Sequence, residues 1–145
     1  MNKPSLRHIL PLLFVAILMA ACGKGNGKVA VTEDAAEIQF DTLSHDYGTL
    51  QPDTFTTYDF VFHNIGATPL YLESVGVSCG CTSTKWPHSG IEPGDAATIS
   101  VTYDSYGRRP GHFQKSVKVY SNAKTSFVRL VITGDIAEKQ EPKKD

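Results

Sequence analysis

The fold class is decided by a ten-residue stretch that alternates between aromatic and polar side chains, Phe55-Thr56-Thr57-Tyr58-Asp59-Phe60-Val61-Phe62-His63-Asn64. Tyr58, Phe60 and Phe62 share one face of an extended chain, because successive side chains of a β-strand point to opposite sides. The positions between them are mostly polar. The pattern therefore predicts a β-strand whose aromatic face lies in a hydrophobic core.

Strand-like segments continue on both sides of this stretch, and no segment has a comparable helical period. We predict them over residues 38–40, around Tyr47, and over residues 70–77, 97–103, 113–119 and 127–133. In the last segment both faces are apolar, because Phe127 and Val131 alternate with Val128, Leu130 and Ile132. We therefore expect that strand to be covered on both sides. About seven strands with short connections predict an all-β fold, an immunoglobulin-like antiparallel β-sandwich.

The segment Ser78-Cys79-Gly80-Cys81-Thr82 carries two cysteines separated by one glycine. If the chain stays extended here, both sulfurs lie on the same face of a strand. Their Cα atoms would then be about 6.5 Å apart, near the upper limit of about 6.8 Å for a disulfide, so a bond is possible but strained. An antibody-type disulfide between two sheets is excluded, because the two cysteines are side by side in sequence.

Three chemical roles are open for Cys79 and Cys81. They can form a structural disulfide, exchange with other thiols, or bind a metal such as copper or zinc, with His88 as the nearest candidate third ligand. The helix N-terminus that lowers the thiol pKa in the usual oxidoreductases is not predicted here. Together with Thr82, Trp86 and His88, the pair forms a possible binding loop, in which Trp86 either caps the core or is an exposed anchor.

The N-terminus has the composition of a secretory signal peptide over residues 1–21. Lys3 and Arg7 precede a short apolar run, which is too short to span a bilayer as a helix of about 20 residues. The following sequence, Leu18-Met19-Ala20-Ala21-Cys22-Gly23, resembles a bacterial lipoprotein signal, which implies that Cys22 becomes the lipid-modified first residue. It departs from that signal at Met19, where leucine is preferred. The alternative is an ordinary secreted protein with an unpaired cysteine.

The rest of the chain divides into a tether, one domain and a tail. Residues 22–36 contain Gly25-Asn26-Gly27 and predict a flexible tether, residues 37–136 form the domain, and the charged residues 137–145 predict a disordered tail. A formal net charge of −1 argues against nucleic acid as a partner. We see no catalytic triad, phosphate loop or carboxylate pair, so we expect neither an enzyme nor a small-molecule substrate.

The order of motifs along the domain resembles the bacterial DUF1573 family, a family of domains of unknown function. The resemblance covers about residues 41–134 and is carried by His45-Asp46-Tyr47-Gly48, Phe60-Val61-Phe62-His63-Asn64-Ile65-Gly66, Pro69-Leu70, Ser78-Cys79-Gly80-Cys81-Thr82, Ile91-Glu92-Pro93-Gly94, Val101-Thr102-Tyr103, Gly111-His112-Phe113 and Val119-Tyr120-Ser121-Asn122. It implies an immunoglobulin-like binding or scaffolding module related to those of ciliary and centrosomal proteins. Tyr47 and Tyr103 stand where phenylalanine is commoner in the family.

The sequence thus predicts a lipoprotein of the cell envelope that is anchored to the membrane through Cys22 and faces the periplasm. Its domain binds an unknown envelope protein through an exposed strand edge or through the cysteine loop. The alternative is a protein that handles copper or zinc, or exchanges thiols, through Cys79 and Cys81. No other cofactor is expected.

Overall fold

The computed structural model describes residues 34–139, and every regular element in that range is a β-strand. The eight strands are β1 (Ile38–Phe40), β2 (Ser44–Leu50), β3 (Phe55–Asn64), β4 (Leu72–Val77), β5 (Thr82–Lys85), β6 (Ala96–Asp104), β7 (Gly111–Ser121) and β8 (Phe127–Ile136). The predicted strand over residues 55–64 is confirmed with the same bounds. Its alternation is a strong local signal, and the strand pairs with β1 on one side and β6 on the other.

The strands form two four-stranded sheets, with the orders β1-β3-β6-β5 and β2-β8-β7-β4. The predicted β-sandwich is therefore confirmed, with eight strands instead of about seven. One pairing differs from the antiparallel prediction, because β2 runs parallel to β8. The chain changes sheets between Phe40 and Ser44 without reversing direction, so β1 pairs with β3 in one sheet and β2 joins the other beside β8.

The core lies between the sheets and follows the period of two. Phe60 and Phe62 are fully buried, as are the facing side chains of β7 and β8, among them Val117, Leu130 and Ile132. The prediction that β8 is covered on both sides is wrong. Phe127 is 39% exposed, and its ring lies against the equally exposed Tyr120 with 5.0 Å between ring centroids.

Strand β5 was not predicted, because its sequence Thr82-Ser83-Thr84-Lys85 has no apolar alternation. It is an edge strand that pairs with β6, placing Thr82 opposite Tyr103 and Lys85 opposite Ser100. A polar run becomes a strand here because β6 offers an unpaired row of backbone groups. Tertiary pairing outweighs the weak local signal.

One end of the sandwich, the proximal pole, consists of residues 35–37, 65–68 and 122–125. Its loops are tied to the start of the domain by backbone hydrogen bonds: the amide of Ala67 donates to the carbonyl of Ala35 at 3.1 Å, and the amide of Lys124 donates to the carbonyl of Ala36 at 2.9 Å. Ala36 is buried. The domain therefore includes Ala35 and Ala36, which we had placed in the tether.

Two residues of the family-like motif hold the proximal pole together. The fully buried Asn64 donates from Nδ2 to the carbonyls of Thr68 at 2.8 Å and Ile91 at 2.9 Å, and its Oδ1 accepts from the amide of Gly66 at 3.0 Å. Gly66 lies so close to residues 35–37 that a Cβ atom there would be 2.7 Å from the carbonyl carbon of Ala36. Only glycine allows this approach of the two backbones.

The opposite end, the distal pole, consists of residues 51–55, 79–81 and 105–110. A buried Ser105 pins it, because its Oγ lies within hydrogen-bond distance of the carbonyls of Gln51 at 3.1 Å and Thr54 at 3.0 Å and accepts from the amide of Thr54 at 2.9 Å. Strand β3 connects the two poles, beginning at Phe55 and ending at Asn64. Ten residues at about 3.3 Å each separate the poles by about 30 Å.

Candidate functional site

Cys79 and Cys81 are joined by a disulfide within a turn, and their Cα atoms are 5.3 Å apart. Strand β4 ends at Val77, so the chain does not stay extended through Cys81, which was the condition for placing both sulfurs on one face of a strand. The turn brings the Cα atoms closer than the roughly 6.5 Å of a straight strand, well inside the range for a disulfide. The amide of Thr82 donates to the carbonyl of Cys79 at 3.3 Å, which closes the turn.

The two halves of the disulfide differ in their access to solvent. Cys81 is 2% exposed and belongs to the hydrophobic core, whereas Cys79 is only partly buried. The amide of Asp104 donates to the carbonyl of Cys81 at 2.8 Å and fixes that residue to the end of β6. Gly80 projects outward, since a Cβ atom built on it meets nothing within 4 Å.

The three other residues of the predicted binding loop have different places. Thr82 is buried, and its Oγ1 lies 3.6 Å from Sγ of Cys79 and 3.9 Å from Sγ of Cys81. Trp86 is partly buried and packs against the core, and its ring contacts that of the exposed His88 with 4.1 Å between centroids. The structure therefore brings Thr82 to the cysteines and gives Trp86 the capping place that we had weighed against an exposed anchor.

The predicted metal site has no counterpart among the residues that the structure describes. Within residues 34–139, no group of three or more His, Cys, Asp or Glu side chains is placed to hold a metal ion. The disulfide leaves Cys79 and Cys81 without the thiolates that bind copper or zinc. A site with His88 stays a prediction for the reduced protein.

Two exposed aromatic side chains on the distal pole were missed by the sequence reasoning. Phe55 is 72% exposed and Tyr106 is 69% exposed. Phe55 lies opposite Asp104 in the sheet, and the amide of Tyr106 donates to Oδ1 of Asp104 at 2.8 Å. A signal for Phe55 was present, because it stands at an odd position whereas Tyr58, Phe60 and Phe62 stand at even positions. It therefore points away from the core.

Basic side chains accompany the aromatic pair. Arg108 and Arg109 are exposed and line a groove of about 330 Å³ together with Lys139 and Asp53. Lys139 donates to Oδ2 of Asp53 at 3.0 Å, and the amide of Gly107 donates to Oδ1 at 3.1 Å. The hydrogen bond from Lys139 lowers the pKa of Asp53 and raises that of Lys139. These contacts neutralise Asp53, so the two arginines give this part of the distal pole a positive charge.

The ion pair with Asp53 also bears on the predicted tail. Residues 137 and 139 are described by the structure, and the amide of Ala137 donates to the carbonyl of Leu50 at 2.9 Å. The first residues that we had assigned to the disordered tail are therefore attached to the distal pole. The remaining tail, the signal peptide and Cys22 lie outside the described residues.

A larger groove of about 630 Å³ lies beside the proximal pole, between Phe40, Asp41, His63 and Ile65. Nε2 of His63 lies 3.0 Å from Oδ1 of Asp41, and both side chains are well exposed. His112 makes a similar surface pair with Asp135 at 3.3 Å. These histidines have surface partners and are not gathered around the disulfide.

Between the poles, Tyr47 links the two sheets. Its hydroxyl on β2 donates to the carbonyl of Val101 on β6 at 2.8 Å. Burial raises the pKa of Tyr47 to about 12, so the hydroxyl stays protonated and keeps the bond into the alkaline range, where an exposed tyrosine would ionise. The link holds the sandwich together and has no evident chemical role.

The domain resembles known proteins in both sequence and fold. The family model described as "Protein of unknown function (DUF1573)" matches residues 38–136, and the search among curated proteins found no match. A protein of unknown function from Porphyromonas gingivalis W83 is 17% identical with a TM-score of 0.63, and the match covers 75% of this chain and 51% of that one. The chain therefore spans about half the length of that protein.

Two further solved structures resemble it. The ASH / PapD-like domain 7 of human CEP192 is 14% identical with a TM-score of 0.59, covering 78% of this chain and 94% of that domain. The secreted serine protease VesC from Vibrio cholerae is 15% identical with a TM-score of 0.53, but only 24% of its chain is covered. At these identities the similarities show the fold alone. None of the residues that the structure describes belongs to a helix long and apolar enough to cross a membrane.

Proposed function

The chain belongs to the DUF1573 family, and we propose that it is a membrane-anchored envelope lipoprotein. In this proposal its immunoglobulin-like domain binds another envelope protein and does not catalyse a reaction. The observation that carries the proposal is the place of the exposed aromatic pair, Phe55 and Tyr106. It lies at the distal pole, whereas the chain enters the domain at the proximal pole. A domain attached to a membrane through its N-terminal side is expected to present the distal pole to partners.

The proposed anchor is the lipid on Cys22, followed by a short tether that reaches the domain at Ala35. Two acyl chains or more hold a protein to a bilayer stably, whereas one gives only marginal binding. The binding surface lies about 30 Å along the sandwich from the point where the tether enters the domain. We propose that the domain faces the periplasm.

The composition of the distal pole supports binding to a protein with an apolar and acidic surface. Aromatic residues and arginine are the side chains that contribute most to protein interfaces. Phe55 and Tyr106 supply exposed rings, and Arg108 and Arg109 supply the positive charge. The proposed binding surface thus adds Phe55, Tyr106 and the two arginines to the end of the sandwich that also carries the predicted cysteine loop.

The proposal is tested by site-specific photo-crosslinking in cells, with the crosslinker placed at Tyr106 or, as a control, at Tyr120. Tyr120 is also exposed and lies beside an exposed Phe127, but away from the distal pole. We expect one envelope protein to be crosslinked from Tyr106 and not from Tyr120. The substitution Phe55→Ser should abolish the crosslink from Tyr106. For the purified pair we expect Phe55→Ser to weaken binding by about 30-fold or more, as for a hot-spot residue. Equal crosslinking from both positions would contradict the proposal.

The anchor has its own test, because binding and anchoring can fail separately. Intact-mass analysis of the detergent-extracted protein should show added acyl mass on Cys22, and Cys22→Ser should release the protein from the membrane fraction. A chain with no acyl mass on Cys22 would leave the domain as a secreted binding module.

The second candidate function is metal or thiol handling through Cys79 and Cys81. The partial exposure of Cys79 favours thiol exchange over a sealed structural bond. Copper or zinc binding requires the reduced pair, so metal analysis of natively purified, thiol-protected protein decides between the two chemistries. A metal content of one per chain that is lost in Cys79→Ser would favour the metal site.

A further inference from the structure

The disulfide turn at residues 79–81 combines a bond that can be exchanged with unequal access to its two sulfurs. Cys81 is buried among core side chains, while Cys79 is partly exposed and its neighbour Gly80 leaves the approach open. A nucleophile attacks a disulfide along the line of the sulfur–sulfur bond, and access decides which sulfur is attacked. At this turn a molecule arriving from solvent meets Cys79 first and has Cys81 on the far side.

The bond also contributes little to the stability of the fold, as is expected of a disulfide that is opened and closed by thiol exchange. It closes a loop of only three residues, and in the chain-entropy model so short a loop gives roughly 40% of the stabilisation of a loop of fifty residues. The two ends of the turn are held independently of the sulfurs. The carbonyl of Cys79 accepts from the amide of Thr82, and the carbonyl of Cys81 accepts from the amide of Asp104.

We propose that the Cys79–Cys81 disulfide is a thiol-exchange site with a fixed direction of attack. The thiolate of another molecule, either a small thiol or a cysteine of a partner protein, forms a bond to Sγ of Cys79. The bond between Cys79 and Cys81 breaks, and its electron pair goes to Sγ of Cys81, which takes up a proton from solvent. A second thiol then releases the first as a mixed disulfide and leaves both cysteines reduced. In total, two thiols are oxidised to one disulfide and the protein disulfide is reduced.

Thr82 is a positioning residue for this exchange. Its hydroxyl lies 3.6 Å from Sγ of Cys79 and 3.9 Å from Sγ of Cys81, and it must be the donor because disulfide sulfurs carry no hydrogen. A hydrogen bond to sulfur strengthens as the leaving sulfur gains negative charge. Sγ of Cys81 leaves as a thiolate, which either takes up a proton or attacks the mixed disulfide at Cys79 again and closes the ring. The site therefore captures thiols reversibly.

The experiment uses the full chain in detergent and reads the position of the mixed disulfide. The reduced wild-type protein is mixed with limiting oxidised glutathione, quenched with N-ethylmaleimide and mapped by mass spectrometry. Glutathione should be found on Cys79 and ethylmaleimide on Cys81, because the same mixed disulfide forms from either direction. In the single variants, Cys81→Ser should react with oxidised glutathione at least about tenfold faster than Cys79→Ser. Glutathione on Cys81, equal rates, or no mixed disulfide at all would overturn the proposal.

Variants of Thr82 separate positioning from a structural effect. Thr82→Val keeps the shape but removes the hydroxyl, and it should slow reduction of the disulfide by glutathione about tenfold, as expected for a lost hydrogen bond to a charged group. Thr82→Ser should restore most of the rate. If both variants are equally slow or equally fast, Thr82 has no positioning role. A small thiol is distinguished from a partner cysteine by trapping in cells, where Cys81→Ser should carry either a small adduct or a protein-sized one.

The inference deepens the second candidate function, thiol handling through Cys79 and Cys81, and does not depend on the proposed binding function. The variant Phe55→Ser/Tyr106→Ser should exchange with glutathione at the wild-type rate. If the disulfide is inert but the protein still binds through Phe55 and Tyr106, only the exchange site is contradicted. If exchange is normal but no partner is crosslinked, only the binding function is contradicted.

Discussion

The two poles of the sandwich are built differently, although each contains one buried polar residue that pins its loops. Asn64 pins the proximal pole and Ser105 pins the distal pole through hydrogen bonds to backbone groups. The proximal pole also packs backbone directly against backbone at Gly66. The distal pole has no such contact at Gly80 or Gly107, and it exposes the side chains of Phe55 and Tyr106.

This difference separates residues whose type is set by packing from residues that are available for binding or reaction. Where the two backbones touch at Gly66 there is no room for a side chain, so this glycine of the motif is structural. The distal pole has no such contact at its glycines, and its surface carries aromatic rings, positive charges and a disulfide. Function is therefore expected at the distal pole, and stability at the proximal pole.

The largest expected effect is at the proximal pole. In Gly66→Ala the new Cβ atom would overlap the carbonyl oxygen of Ala35 and the amide of Glu37, so the backbone must move. We expect a loss of about 2–3 kcal/mol in the free energy of unfolding, as for overpacked sites, measured by urea denaturation. The control is Gly76→Ala on β4, where a Cβ atom meets nothing within 4 Å and the loss should be close to zero. Equal losses in the two variants would remove the special role of the proximal pole.

A smaller effect is expected at the distal pole. Reduction of the Cys79–Cys81 disulfide should lower the free energy of unfolding by about 1.5 kcal/mol, because the closed loop has only three residues. The measurement is urea denaturation with and without dithiothreitol. The variant Cys79→Ser/Cys81→Ala should not respond to dithiothreitol and serves as the control. A loss above about 4 kcal/mol would make the disulfide a structural bond and weaken the contrast between the poles.

The smallest effect concerns Tyr47, which belongs to neither pole. Tyr47→Phe removes the hydrogen bond to the carbonyl of Val101 and should cost about 1 kcal/mol at neutral pH. The folded-state pKa of about 12 is above the unfolded value of 10.0, so the contribution is present below pH 10 and is lost as the pH rises toward 12. The stability difference between the wild type and Tyr47→Phe should shrink over this range in urea denaturation series. A difference that does not change with pH would show that the hydroxyl does not stay protonated by burial.

Much of the fold could be predicted from the sequence. The strand over residues 55–64 has its predicted bounds, and Phe60 and Phe62 are buried as their spacing requires. Strand β5 could not be predicted, because its four polar residues pair with β6 only once the sheet exists. The parallel pairing of β2 with β8 is equally invisible in the sequence, since the local pattern does not say which sheet a strand joins.

The candidate site was predicted less completely than the fold. The proximity of Cys79 and Cys81 followed from their spacing, but the turn that joins them and the burial of Cys81 did not. The hydroxyl of Thr82 could not be located because its distance to the sulfurs depends on that turn. Tyr106 gave no signal, since a single aromatic residue in a loop is compatible with either a buried or an exposed place.

The sequence by itself determined the period of two, the strands that follow from it and the family, because these depend on residues that are neighbours along the chain. The tertiary structure alone decided which pole receives the N-terminal chain and which carries the aromatic pair and the disulfide. These positions depend on pairings between strands that are far apart in sequence, such as β3 with β6 and β7 with β8. A local pattern sets which way a side chain points from its strand, and long-range pairing sets which residues that side chain contacts.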